Sequence, residues 1–552
     1  MCVMTGASPE SGLTSDHVYG ERRCLASADA VGGIVIDEML APSVYPHPVT
    51  HLIKRETLIS WIILTGQYAY KIKKPVRLDF IDATALSSRR EMCEQEVALN
   101  RRLAPDLYLE VVAITRDDNG VRVGGSGEVI EYAVKMREFQ GSQELGSLLD
   151  RREVCLPEIV DLAERLAEFH QRAPRTADRT FTCTDHLRDA VLGNLASLLS
   201  HLNAPEALAE LGQLIDWTHD ELHDLLPTLR LREQRGFIRE CHGDLHARNI
   251  VRWKGHLVPF DCLDFEPKLR WIDVMNDVAF LVMDLVSHDR SDLSCAFLNR
   301  YLEITGDYDG LRLLAFYAIY RALVRAMVDS IDSRNSTEPQ AALRERMYKR
   351  VNTAVRLMNR PAPTLFIMHG PSGSGKSWLS ERVMQSLDAI RIRSDVERKR
   401  LAGMQPTDRA AADSQQGMYE PAFTHRTYAR LLECAKSSLE GGFNTIVDAA
   451  FLDAANRRMF ERFADDHRIP YVIVSCEADR ATSMLRVQTR QTAHADPSDA
   501  GTEVLQWQLQ NSDPLDAEEL PRTVTVRTDA SNAVADSIVA LRRATRSNKP
   551  SI

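Results

Sequence analysis

The sequence predicts two domains of different class: an α+β unit, made of a small sheet and then a helical lobe, followed by an α/β unit with a parallel sheet and helices on both faces. Three observations predict this. Short strand patterns dominate residues 50–136, and helical patterns dominate 144–331. From Thr364 onward strand and helix alternate, which implies parallel strands joined by crossover helices. Between the two, Arg360-Pro361-Ala362-Pro363 breaks a helix, because proline lacks the N–H and clashes with the preceding turn. The organisation reads as a disordered tail over 1–30, a first domain over 31–343, a helical linker over 344–361, a second domain over 362–545 and a tail over 546–552.

In the first domain Thr50–Lys54, Leu58–Leu64 and Tyr68–Lys73 read as strands, with Gly66-Gln67 as the turn before the third. Leu86–Leu103 has helical spacing: Met92, Val97, Leu99 and Leu103 are apolar and most of the rest is charged. Strands resume at Glu110–Ile114 and Glu131–Met136, with a hairpin around Asp118-Asn119-Gly120. Helices follow over Pro157–His170, Asp185–Leu202 and Pro205–Leu226, and again over Ile272–Leu302 and Leu311–Ile331. Arg344–Asn359 is a basic amphipathic helix.

The second domain opens with the apolar strand Thr364–Met368. Gly370-Pro371-Ser372-Gly373-Ser374-Gly375-Lys376-Ser377 follows, and then a helix from Trp378. Strand, glycine-rich loop, Gly-Lys-Ser and helix together make a nucleotide phosphate-binding loop. Its backbone N–H groups turn toward phosphate, and the helix N-terminus adds partial positive charge. Lys376 is placed for the β- and γ-phosphates and Ser377 for Mg²⁺. Ile390–Arg393, Asn444–Asp448, Tyr471–Cys476 and Val524–Val526 read as further strands. Tyr419–Leu439, Asn456–Phe463, Ala481–Thr489 and Asn532–Arg543 read as the helices between and after them.

A chain of 552 residues is too long for one core. Its net charge of −10 argues against a protein that coats nucleic acid, since phosphate backbones select basic surfaces. The ten cysteines include no C-x-x-C pair, which argues against zinc and fits reduced thiols in a cytoplasm. The first residues lack a basic stretch followed by an apolar core, so no signal peptide is read there. Leu311–Val328 is the most apolar stretch, but Arg312, Arg321 and Arg325 point to a buried soluble helix rather than a membrane span.

A second phosphate chemistry lies upstream. His242-Gly243-Asp244-Leu245-His246-Ala247-Arg248-Asn249 holds an aspartate and an asparagine five positions apart on a short loop. Phosphoryl transfer to a hydroxyl needs a carboxylate to orient it and accept its proton, and an oxygen ligand for Mg²⁺ nearby. Downstream, Leu257–Asp264 is a strand that ends in acidic residues. This constellation, continued in Trp271–Phe280, resembles the aminoglycoside phosphotransferase and choline kinase-like family over residues 34–335. The resemblance implies the bilobal protein-kinase-like fold. It implies Asp244 as catalytic base, Asn249 and Asp261 as Mg²⁺ ligands, and Lys71 on the ATP phosphates with Glu96 as its partner. Asp264 is the alternative to Asp261, whose spacing from Asn249 is closer to the family's. Lys73, on the same strand face, is the alternative to Lys71, and Glu94 the alternative to Glu96. No G-x-G-x-x-G precedes Lys71.

Residues 362–545 resemble small P-loop kinases, a group that includes gluconate kinase, polynucleotide kinase and zeta-toxin-like kinases. Beyond the loop the likeness rests on Arg393-Ser394-Asp395-Val396-Glu397-Arg398. It implies Asp395 as the base on the acceptor hydroxyl and Arg398 as a substrate holder. Asp448, at a strand end, is implied at Mg²⁺ or its waters, with a turn aspartate as the alternative. Arg486 and Arg490, four apart on one helix face, are implied at the lid, against the transferring phosphate. The whole chain therefore reads as a cytoplasmic bifunctional kinase using ATP and Mg²⁺ on hydroxyls of small molecules. The alternatives are a ligand-sensing lobe pair regulating a P-loop switch, and a nucleic-acid-end kinase using Arg393, Arg398, Lys399 and Arg400.

Overall fold

A computed structural model describes residues 35–78, 81–175, 187–188, 190–191, 193, 195, 205–335, 340–405, 408, 418, 420–493 and 502–547. The tail over 1–30, most of the helix expected over Asp185–Leu202, and nearly all of the tail over 546–552 lie outside the described residues. The chain divides into two compact units. One is Met1–His288 with Phe316–Val355, and the other is Asp289–Ala315 with Arg356–Ile552. Both are of the class the sequence predicts.

The first unit carries a six-stranded antiparallel sheet in the order Ile53–Glu56, Ser60–Leu64, Tyr68–Lys73, Glu128–Arg137, Tyr108–Asp117, Gly120–Val123. Strand alternation sends Tyr70 and Ile72 to a core with Trp61, Ile63 and Ile114. Ala69 faces the opposite core, with Cys93 and Val97 of the helix Leu86–Asn100. Lys71 and Lys73 share that second face, so the sheet's own period aims both lysines at the helix that carries Glu96. The helical lobe includes Leu156–Arg172, Pro205–Gln234, Val274–Ser287 and most of Leu311–Asn335 and of Gln340–Met358. All fourteen residues of Val274–Ser287 are buried, three acidic or amide side chains among them. Ile272 and Asp273, expected to begin a helix, instead belong to the strand Trp271–Asp273, which pairs antiparallel with Ile238–Glu240.

The second unit has five parallel strands in the order Ala389–Arg393, Asn444–Asp448, Leu365–His369, Tyr471–Glu477, Thr523–Arg527. The central strands are buried almost throughout, as a sheet covered on both faces requires. One difference from the sequence reading concerns Asp289–Ala315, which was expected within the 31–343 domain and groups with this second unit. Its helix, Ser291–Thr305, buries its apolar face against the strand Ala389–Arg393. Helical spacing shows that such a face exists but not what it meets. Among the described residues no helix is long and apolar enough to cross a membrane. The seven described cysteines are free thiols.

Candidate active sites

In the first unit the alternatives left open by the sequence form two rows of one charge cluster. Lys71 Nζ lies 2.7 Å from Glu96 Oε1 and 2.6 Å from Asp261 Oδ1. Lys73 Nζ lies 2.7 Å from Glu96 Oε2 and 2.5 Å from Asp264 Oδ2. Glu96 is fully buried and serves both lysines. Glu94 instead pairs with Arg90 on the exposed side of the helix. The Lys71 row is the open one: the Asp261 side chain is 45% exposed and that of Asp264 8%. Burial opposes ionisation of Glu96, yet Lys71 and Lys73 bring its pKa down to about 2. Burial raises the Asp264 pKa, and Lys73 only partly offsets it.

The turn that presents Asp261 is over-determined. Its φ is +58°, a left-handed value uncommon outside glycine. Its N–H donates to Tyr108 Oη at 3.1 Å, and the Cys262 N–H donates to Asn100 Oδ1 at 2.8 Å. Both acceptors are buried side chains of elements already fixed by the core.

The loop His242–Asn249 is held from below by two carboxylates two helical turns apart on Val274–Ser287. The backbone N–H groups of His242 and Gly243 donate to Asp277 at 2.7 and 2.9 Å. That of Ala247 donates to Asp284 at 2.8 Å. Asn249 Nδ2 donates to both the carbonyl and Oδ2 of Asp244, each at 3.0 Å, so its amide oxygen is the atom left for a cation. Burial alone would raise the Asp244 pKa, but His246 and then Arg325 and Arg321 hold it well below the usual carboxylate range. Arg325 Nη1 lies 3.3 Å from His246 Nε2, which is itself 3.4 Å from Asp244 Oδ2. Sequence reasoning assigned no role to Asp277 or Asp284. Their signal was an acidic pair seven apart in an otherwise apolar helix.

In the second unit the phosphate loop is made of backbone. Gly370 and Gly375 have φ of +134° and +90°. A Cβ at either would lie 2.6 Å from Cys476 O or 2.7 Å from Thr528 Oγ1. The buried Ser374 Oγ has no hydrogen-bond partner among the described residues, as expected of a cradle that awaits oxygens. Lys376 Nζ donates to Pro371 O at 2.8 Å. Ser377 Oγ and Ser380 Oγ donate to the two oxygens of buried Asp448 at 3.1 and 3.0 Å. Ser377 and Asp448 thus put a hydroxyl and a carboxylate together, oxygen ligands of the kind Mg²⁺ takes. A cavity of about 240 Å³ opens beside the loop, between Pro371, Ser374, Glu477 and Arg527.

Arg486 lies against the loop, donating to Thr528 Oγ1 at 2.9 Å and to Thr528 O at 3.1 Å. Arg490 follows on the same helix, Arg480–Ala493, but its side chain lies outside the described residues. Asp395 is the second residue of the helix Ser394–Leu401, whose N-cap position is Arg393, so Asp395 is not a helix cap. Arg398 is nearly buried and donates to Met418 O at 2.6 Å. Gln508, on the helix Thr502–Gln510, accepts from the Ser372 N–H at 2.7 Å. The sequence reading found neither that helix nor that contact.

Residues 85–314 match the model of the phosphotransferase enzyme family, and residues 365–515 match that of an AAA domain. An uncharacterized protein of Mycobacterium tuberculosis and one of Mycobacterium bovis are each 31% identical over 464 residues, covering 82% of this chain and 89% of theirs. Among solved structures, a choline kinase from Cryptosporidium parvum aligns with 58% of this chain and 94% of its own, at 10% identity and a TM-score of 0.37. A gluconokinase from Sinorhizobium meliloti aligns with 34% and 97%, at 19% identity and a TM-score of 0.23. The chain belongs to the family of those mycobacterial proteins; in it a phosphotransferase domain is followed by a P-loop kinase domain, and its chemistry is kinase-type phosphotransfer.

Proposed function

We propose that the chain is a bifunctional ATP-dependent phosphotransferase, with two separate sites that each pass a γ-phosphate to a hydroxyl of a small molecule. What supports this reading is that the first unit sets Lys71 between Glu96 and Asp261, while the second separately holds a glycine-rich loop with Lys376 and with Ser377 on Asp448. In the first unit Lys71, fixed by Glu96, takes the ATP phosphates, and Asn249 with Asp261 holds the metal. Asp244 orients the acceptor hydroxyl and accepts its proton. In the second, the loop Gly370–Ser377 takes the phosphates, with Arg486 and Arg490 beside them. Ser377 with Asp448 holds the metal, Asp395 receives the proton and Arg398 lines the acceptor side. Held by these residues, Mg²⁺ would supply positive charge against the charge that develops on the transferring phosphate.

Surroundings also bear on the first acceptor. His246, Arg325 and Arg321 lower the Asp244 pKa, with His246 Nε2 3.4 Å from Asp244 Oδ2. Arg321 is held by Asn276 at 2.7 Å and lies over Phe280. A cationic amino alcohol approaching Asp244 meets like charge there, so the reading favours a neutral or anionic acceptor. The free thiols support a cytoplasmic setting. Calorimetric titration of the full chain with a non-hydrolysable ATP analogue and Mg²⁺ tests the two-site reading. Two sites are expected in wild type and one in Lys376→Ala; one site in wild type would contradict it.

A further inference from the structure

The two edges of the P-loop sheet are treated differently. Thr523–Arg527 is half-exposed along its length, whereas Ala389–Arg393 is largely buried. What covers the second edge is Ser291–Thr305, a helix inside the span that matches the phosphotransferase family. Asn299 Nδ2 donates to Ala389 O at 2.9 Å, and Asn299 Oδ1 accepts from the Arg391 N–H at 2.7 Å. One side-chain amide therefore satisfies two of the outward groups that a sixth strand would take. Cys295 Sγ lies 3.5 Å from the same Ala389 carbonyl.

Glu303 continues this contact past the strand end. Its Oε1 lies 3.1 Å from Arg393 Nη1, with both side chains mostly buried. Its backbone carbonyl accepts from Arg400 Nη2 at 2.6 Å. Arg400 also pairs with Glu397, which is 1% exposed, and Arg430 Nε lies 3.3 Å from the other Glu397 oxygen. Arg430 in turn donates to Gly306 O at 3.3 Å, so the network closes on the end of the covering helix. Arg393 is the N-cap residue of Ser394–Leu401 and Arg400 lies in its last turn. Glu303 thus grips both ends of the short helix on which Asp395 and Arg398 sit.

We propose that Glu303 is a positioning residue for the P-loop site: it fixes the helix Ser394–Leu401, so the acceptor side of that site is set by chain from within the phosphotransferase-family span. The part concerning turnover rests on reading Asp395 as the acceptor's base. The placement of the helix does not depend on that reading.

The test uses the full chain, with Glu303→Gln, Arg393→Gln, and the exchanged pair Glu303→Arg with Arg393→Glu. Three quantities are measured: amide hydrogen exchange over 394–401, affinity for a fluorescent ATP analogue, and the ATP turnover to water that Lys376→Ala removes. Glu303→Gln is expected to speed exchange over 394–401 about tenfold while 444–448 stays protected. It should lower turnover about tenfold or more, as misplacement of a reacting group by a fraction of an ångström does, with analogue affinity within about twofold. Arg393→Gln should match it, and the exchanged pair should recover much of both effects. Wild-type exchange over 394–401 in Glu303→Gln would overturn the proposal. Equal loss of analogue affinity and turnover would also overturn it, since a structural collapse moves both. Asp395→Asn separates the two readings. If it leaves turnover unchanged, the base assignment fails, and the exchange over 394–401 alone decides on Glu303.

Discussion

The two phosphate sites are built from different materials. In the P-loop unit one run of eight residues, Gly370–Ser377, supplies backbone donors, a lysine and a hydroxyl, and its glycines leave room for nothing else. In the kinase-like unit Lys71 and Asp261 are 190 positions apart and meet only because strand, helix and turn are already folded. The first kind of site is a local conformation. The second is a buried charge cluster, and it bears on stability as much as on binding.

That contrast can be broken by experiment. The largest effects are expected on chemistry. Asp244→Asn and Asp395→Asn should each lower their own phosphotransfer by about 10²–10⁴, the usual cost of losing a general base, and leave the other unchanged. Single-turnover product formation checks this for each variant. Next comes stability, where the two lysines should differ. Lys73→Met leaves Glu96, Asp261 and Asp264 facing Lys71 alone, which should cost about 3–5 kcal/mol, as other broken buried ion pairs do. Lys376→Ala, at a loop built of backbone, should cost less than about 1 kcal/mol. Thermal denaturation of the two variants gives the comparison, and equal losses would erase it.

A pH dependence sharpens the same point. Glu96 has a folded pKa of about 2 against an ordinary 4.5. A lowered carboxylate pKa contributes stability that is fully present above the ordinary value. That stability is lost as the pH falls through the folded value. Acid destabilisation of the kinase-like unit should therefore steepen between about pH 4.5 and 2, and Glu96→Gln should flatten that limb. The smallest effect concerns Gln508. Its bond to the Ser372 N–H competes with phosphate, so Gln508→Ala should tighten nucleotide binding by up to about fivefold, the worth of one neutral hydrogen bond.

How much was legible in the sequence follows from the same difference. The phosphate loop is contiguous, so its residues, its strand and its helix could be read directly. The choice between Lys71 and Lys73 could not be settled, because a strand's period places both on one face, and the fold uses both. Between Asp261 and Asp264 only spacing from Asn249 favoured Asp261, because the exposure that separates them is a tertiary property. Asp277, inside the quoted Trp271–Phe280, and Asp284, beyond it, had no role assigned, since an acidic pair in an apolar helix does not say which backbone N–H groups it will accept. The placement of Asp289–Ala315 was out of reach for a similar reason. Its helical spacing announces an apolar face, but Asn299 and Glu303 acquire meaning only beside Ala389–Arg393.

The most direct test of two independent phosphotransfer centres is product formation from γ-labelled ATP across a pool of small metabolites. Wild type, Asp244→Asn and Lys376→Ala are compared on the same pool. Two labelled products are expected in wild type, one lost only in Asp244→Asn and the other lost only in Lys376→Ala. A single product that survives Asp244→Asn and disappears in Lys376→Ala would contradict the account and leave the kinase-like unit as a ligand sensor. Ligand and ATP would then shift each other's affinity by the same factor.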